Sequence, residues 1–224
     1  MEDIHNKKFI HRDLHSGNIL FVKSNASKYQ WQIGDLGLSQ PANNTPLNNE
    51  IYGVIPYIAP EIFNGVAFSK ASDVYSMGMI MWELTTGYKP FSNIEHDHKL
   101  IYEIIYGKRP EITNDTPECY AALMKRCWDS DPSKRPSISE IRKTIGRWYY
   151  KNKETEQFNL AEKKRLELIE LKKLGPEFAI MHPKAFYTSK ALSSLISMYL
   201  SIDLSSISSN SSKEYISKAF EYDI

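Results

Sequence analysis

The residues of this chain whose types and spacing could do chemistry lie near its start, in His11-Arg12-Asp13-Leu14-His15-Ser16-Gly17-Asn18. An Asp followed five residues later by an Asn, and then at once by the apolar run Ile19-Leu20-Phe21-Val22, suits phosphoryl transfer. That reaction needs a group that orients an attacking hydroxyl and takes its proton, and an amide oxygen that holds Mg²⁺ on nucleotide phosphates. Asp13 is the candidate base and Asn18 the candidate metal ligand. A second carboxylate fits the same chemistry. In Gly34-Asp35-Leu36-Gly37 an Asp stands between glycines at the end of an apolar run, where the backbone can turn sharply behind a side chain reaching for a cation. Two other readings compete. His11, Asp13 and His15 alternate, so on an extended segment all three could face one zinc or manganese ion. The stretch could also be a solvated loop. Asp35 argues against the plain loop, and the motifs downstream do not require a transition metal.

These groups need elements to hold them. Ile19–Val22 and Trp31–Ile33 are short apolar runs separated by the polar residues 23–30, which suits two paired strands and a loop. Residues 1–10 hold only a scrap of structure, with Ile4, Phe9 and Ile10 expected to be buried. Met77, Ile80, Met81 and Leu84 leave few polar faces between Asp73 and Thr86, as in a helix buried nearly all round, with Gly87 placed to end it. Asp73 is then a buried carboxylate, which must be hydrogen-bonded to be tolerated. Leu100, Ile101, Ile104 and Ile105 mark another helix, stopped by Gly107. Thr116-Pro117 opens a third, with Tyr120, Leu123, Met124 and Cys127 on one face. Ser137-Ile138-Ser139-Glu140 reads as a capping box. The helix after it carries the stripe Ile138, Ile141, Ile145 and Trp148.

Composition bounds the rest. The 224 residues are 42% hydrophobic and 25% charged, with a formal net charge of +1, so a packed globular core is expected over most of the chain. Near-zero charge argues against a nucleic-acid or anionic-membrane surface. Cys119 and Cys127 form no C-x-x-C pair and read as reduced thiols. The amino terminus is polar and the longest apolar run, Met77–Trp82, is too short to span a bilayer. A cytoplasmic protein with no nucleic-acid or membrane partner is expected.

In order along the chain, His11–Asn18, Asp35-Leu36-Gly37, Ala59-Pro60-Glu61, Ser72–Gly78 and Cys127–Pro136 resemble the motifs of the carboxyl-terminal lobe of a eukaryotic-type protein kinase. The resemblance covers residues 5–148. It implies a mainly α fold with a short β-strand pair, ATP and Mg²⁺ as cofactors and a protein substrate. It also implies roles: Asp13 as the catalytic base, Asn18 and Asp35 as metal ligands, and Leu20 as the floor under adenine. His11 belongs to the catalytic loop and Gly37 to the metal-binding turn. Asp73 would bind backbone amides of the catalytic loop, and Glu61 would pair with Arg135 in a buried bridge bracing the activation segment. That segment is loop-like from Pro41 to Asn49. Arg12 could receive a phosphate there, and Ser39, Thr45 and Tyr52 are the available hydroxyls.

The chain departs from the family in lacking a glycine-rich loop and the V-A-I-K lysine, which belong to the amino-terminal lobe. It is therefore expected to be a carboxyl-terminal lobe fragment, inactive alone, or a noncatalytic interaction module. A partner could use the surface facing the other lobe. His15-Ser16-Gly17 is a form familiar in the tyrosine-kinase-like group, and Val54 stands where serine/threonine kinases often carry Thr. Serine/threonine specificity is favoured over tyrosine by overall resemblance. Small-molecule phosphotransferases share H-x-D-L-H-x-G-N, but A-P-E and Asp131–Pro136 shift the balance to protein substrates. After a lobe over 1–148, residues 149–176 read as a charged helical tail, with one helix expected over Lys151–Lys173. Residues 177–224 read as a serine-rich disordered tail. Leu192, Leu195, Ile196 and Tyr199 could form a helical turn or two on a partner.

Overall fold

The structure is a computed structural model that describes residues 1–23, 29–42, 50–176 and 180–201. The chain opens with α1 (Glu2–Asn6), β1 (Phe9–Ile10), β2 (Ile19–Lys23), β3 (Tyr29–Ile33), β4 (Gln40–Pro41) and β5 (Tyr52–Gly53). Then come α2 (Pro60–Phe63), α3 (Lys70–Thr86), α4 (His98–Ile105), α5 (Glu118–Cys127), α6 (Ile138–Lys151), α7 (Thr155–Glu170) and β6 (Lys190–Ala191). A last helical stretch covers 193–201. Among the described residues the strands form three antiparallel pairs, β2–β3, β1–β4 and β5–β6. The fold is mainly α, and the expected pair holds, with Ile19 opposite Ile33 and Phe21 opposite Trp31.

The core is built on α3. Ser69 and Ser72 cap each other reciprocally at its start, and Gly87, in the left-handed region at φ 74°, closes its end. Val74, Tyr75, Met79, Ile80, Met81 and Trp82 are all buried, each worth about 1.5–3 kcal/mol of apolar burial. Gly78 lets α5 come close: a Cβ there would stand 2.9 Å from the Cβ of Cys127. Leu84 departs from the expected buried face and is 69% exposed. It lies in the last turn, where α3 leaves the core and Glu83 beside it turns to Tyr57 and Lys89.

Other expectations need correction. Phe9 is exposed, whereas His5, which sequence patterning passed over, is buried. The capping box at Ser137 is half formed, because Glu140 donates its amide to Ser137 Oγ but gives its carboxylate to Arg126. The single helix expected over Lys151–Lys173 is split. α6 runs on to Lys151, Asn152 and Glu154 adopt positive φ, and α7 starts only at Thr155. α7 then lies on the surface, with Leu160, Leu166 and Ile169 exposed.

The largest correction is the tail. Residues 180–201, expected to be disordered, pack onto the lobe with Leu192, Ile196 and Tyr199 buried in the main core. The many serines dilute the apolar residues of this stretch, but three apolar residues on one helical face are enough to seat a short helix when a core is waiting. The rest of that expectation, 177–179 and 202–224, lies outside the described residues. No helix among the described residues is long and apolar enough to cross a membrane.

Candidate active site

The loop that carries Asp13 is held from below by α3. Asp73, buried in the first turn of that helix, accepts hydrogen bonds from the backbone N–H of His11 (2.8 Å) and of Arg12 (3.0 Å), and its Oδ2 lies 2.9 Å from His5 Nε2. Three partners satisfy a carboxylate that would otherwise be costly to bury. The clamp also fixes an unusual backbone: Arg12 sits at φ 73°, a region that non-glycine residues seldom enter unless their surroundings impose it. Its guanidinium carbon lies 4.8 Å from the centre of the Phe68 ring. Burial lowers the Arg12 pKa, and its Nε is buried with no hydrogen-bond partner.

His11 ties this loop to the turn bearing Asp35. Its Nδ1 accepts from the Asp13 amide at 3.3 Å, which leaves the proton on Nε2 to donate to Gly34 O at 3.1 Å. His15 is fixed in the same tautomer, since its Nδ1 accepts from Gly17 N at 3.1 Å. Its Nε2 faces Asp13 Oδ2 at 3.8 Å. Burial pushes the His15 pKa down, against the opposing pull of Asp13. The three alternating groups therefore take different partners, and among the described residues no cluster of three His, Cys, Asp or Glu side chains could hold a metal. The transition-metal reading of the loop is not supported.

Asn18 sits at the join between the loop and the two strands. Its Nδ2 donates to Asp13 O at 2.8 Å, and its backbone carbonyl accepts from Gly34 N at 2.8 Å. The amide is thereby oriented with its Oδ1 left over as an acceptor. Asp35, at φ 50°, accepts only a 3.3 Å bond from Gly37 N. An amide oxygen and a loosely held carboxylate, joined through Gly34, make an all-oxygen donor set. That set fits Mg²⁺, which takes one or two protein oxygens and completes its shell with phosphate and water. A Cβ on Gly34 would stand 2.9 Å from Leu20 Cδ1, so a side chain there would push the Leu20 side chain aside. Leu20 and Leu36 are half exposed, and Phe21 and Trp31, opposite each other in the ladder, point to the other side of the strand pair from Leu20.

Glu61 and Arg135 meet as the resemblance implies. The guanidinium binds both carboxylate oxygens at 2.7 Å and also donates to Asp129 O and Ala71 O. Of the three hydroxyls, Ser39 donates to His11 O at 3.4 Å and Tyr52 to Glu50 Oε2 at 3.0 Å. That bond raises the Tyr52 pKa. Arg12, Glu50 and Tyr52 line a cavity of about 270 Å³. Thr45 lies outside the described residues.

One network was not legible in the sequence. Tyr57 donates to Glu83 at 2.6 Å, Glu83 pairs with Lys89 at 2.8 Å, and Lys89 reaches Ser16 in the catalytic loop. Burial pushes the Tyr57 phenol far up, so it stays a donor. No spacing rule joins residues 16, 57, 83 and 89.

A loop clamped on a buried helix, a metal-type turn beside it and an ion pair bracing the segment between them define the helical lobe of the protein-kinase fold. The family described as protein tyrosine and serine/threonine kinase matches residues 1–145, and the chain belongs to it. A probable serine/threonine-protein kinase of Dictyostelium discoideum is 34% identical over 143 residues, covering 59% of this chain and 8% of the relative. Mitogen-activated protein kinase kinase kinase 7 of Bos taurus is 37% identical over 140 residues, covering 62% of this chain and 23% of that protein. The human protein of that name is equally similar, with 22% of its length covered. The chain thus spans under a quarter of each of these relatives.

Proposed function

We propose that this chain is the catalytic lobe of a protein kinase that uses ATP and Mg²⁺ to phosphorylate a protein hydroxyl, serine or threonine in preference to tyrosine. One observation carries the reading. Asn18 is bonded both to the carbonyl of Asp13 and to Gly34 beside Asp35, so the proton acceptor and the oxygens suited to a cation share one short network. Asp13 accepts the proton of the incoming hydroxyl as its oxygen attacks the γ-phosphorus and the bond to the β-phosphate oxygen breaks, releasing ADP. His15 points its N–H toward Asp13 across 3.8 Å. Asn18 and Asp35 would hold Mg²⁺, which would supply neutralisation of phosphate charge. Leu20 lies on the face suited to adenine.

The test is a chain joined in frame to a kinase amino-terminal lobe, with phosphate transfer to a protein substrate followed. Asp13→Ala should lower kcat by about 10² to 10⁴, as loss of a positioned base does, with the melting curve unchanged. Retention of more than about a tenth of kcat would remove Asp13 from that role.

A second reading has its own support. The sequence holds no G-x-G-x-x-G, while the β2–β3 pair exposes apolar side chains on both of its faces, Leu20 and Val22 on one, Phe21 and Trp31 on the other. Such exposed apolar surface suits a docking module that binds a partner without catalysis. Transfer by the joined chain, abolished by Asp13→Ala, separates the two readings.

A further inference from the structure

Residues 186–199 run along the segment next to Asp13. β6 pairs antiparallel with β5, Ala191 opposite Tyr52 and Lys190 opposite Gly53. Leu192 N extends the pairing with a 2.9 Å bond to Ile51 O. Gly53 is the neighbour of the carboxylate, since a Cβ built on it would stand 3.6 Å from Asp13 Oδ1. The strand edge closest to the candidate base is therefore already taken. On the other flank, Tyr187 donates to Pro90 O at 2.9 Å, and its ring centre lies 5.8 Å from the Lys89 ammonium that reaches Ser16 of the catalytic loop. Beyond the strand, Leu192, Ile196 and Tyr199 are buried, and the Tyr199 ring stands 6.3 Å from Tyr102 on α4.

We propose that residues 186–199 are an internal strap that closes the edge of β5 at Ile51–Gly53 beside Asp13, and that this edge is freed for backbone pairing when the strap lifts. Pairing at a strand edge is a general way to hold an extended chain, because main-chain bonds supply affinity whatever the sequence. The strap is built to open. A strand pair this short is weak alone, and a nine-residue serine-rich helix does not persist in water unless it is docked. Opening draws Leu192, Ile196 and Tyr199 out of the core cluster while the buried residues of α3 keep their own packing.

The experiment compares the full chain with its Leu192→Asp/Ile196→Asp variant, without nucleotide. The probe is a labelled synthetic peptide of residues 183–201, and amide hydrogen exchange is followed at 51–53 and 190–201. In the wild type both stretches should be protected. The variant should lose both protections and bind the peptide at least about tenfold more tightly than the wild type, because the edge is no longer occupied. Bound peptide should restore protection at 51–53. Equal affinity for the two chains, or unchanged exchange at 51–53 when peptide binds, would overturn the proposal. Should the double variant melt early, Lys190→Pro serves instead, since it changes an exposed residue that stands opposite Gly53 at a hydrogen-bonded position of the ladder, where the lost N–H breaks the pairing. Wild-type behaviour in that variant would equally overturn it. The two readings fail separately. An edge that binds peptide in a joined chain that transfers no phosphate would sink the kinase reading alone. Transfer by a joined chain in which Leu192→Asp/Ile196→Asp leaves exchange at 51–53 unchanged would sink the strap alone.

Discussion

Arg135 has a side chain with no exposure, and its carboxylate partner Glu61 is nearly as enclosed. Removing Glu61 strands a charge rather than merely deleting a bond. Glu61→Ala should therefore destabilise the fold by about 3–5 kcal/mol, as loss of one member of a buried pair does, read as a lowered midpoint in urea. Glu61→Ala/Arg135→Met should recover part of that loss. His96 gives a pH prediction. It is buried under the tail, with Nε2 3.1 Å from Phe91 O and Nδ1 2.9 Å from Phe186 O and 3.2 Å from Phe186 N. Burial lowers its pKa, outweighing the carbonyls of Phe91 and Phe186 that favour the charged ring; Lys190 and His182 push the same way as burial. As pH falls below about 6.5, the unfolded imidazole takes a proton that the folded one refuses, so the unfolded state binds more protons and stability drops. Between pH 7.5 and 5.5 the melting temperature of the wild type should fall further than that of His96→Asn. At this scale the sequence was informative where one short stretch holds both partners or a motif names them: Asp73 and the Glu61–Arg135 pair have the partners that the resemblance implies, and Asn18 bonds to Asp13 and to Gly34 beside Asp35. His5, Tyr57, Glu83 and Lys89 were missed because tertiary packing alone brings them to the site, and none carries a local pattern.

Among the elements, α3 was legible because its apolar run and its closing glycine are local signals. What periodicity could not show is how closely α5 approaches, which depends on Gly78 facing Cys127. Gly78→Ala places a methyl 2.9 Å from one side-chain atom and 3.2 Å from the Trp128 backbone. The gain in helix propensity is smaller than the overpacking, so a net loss of about 1–3 kcal/mol is expected. Calorimetry would register it, and an unchanged or raised melting temperature would mean that the helices slide apart at little cost. The tail illustrates the opposite kind of miss. Leu192, Ile196 and Tyr199 were visible as one helical face, but composition argued for disorder, and a sequence does not say that the partner of such a face is the same chain.

For the molecule as a whole, the exposed apolar side chains of Leu20 and Leu36 bear on activity. In the proposed reaction Asp13, Asn18 and Asp35 serve one side, and no described residue opposite them fixes a phosphate in line with an acceptor. Positioning of that kind supplies about 7–11 kcal/mol in well-oriented reactions. The chain as given, purified alone, should therefore show no transfer from radiolabelled ATP above background. Transfer that disappears with Asp35→Ala would refute this.

Cys127 carries a consequence of the close contact between α3 and α5. Its thiol is wholly enclosed against Gly78 and burial pushes its pKa up to about 12, whereas Cys119 is half exposed. Only the thiolate reacts with alkylating reagents, so Cys127 is silent while the two helices touch. The native chain thus carries its own clock: labelling at Cys119 runs with surface exposure, and labelling at Cys127 counts only the moments when the centre of the lobe comes apart.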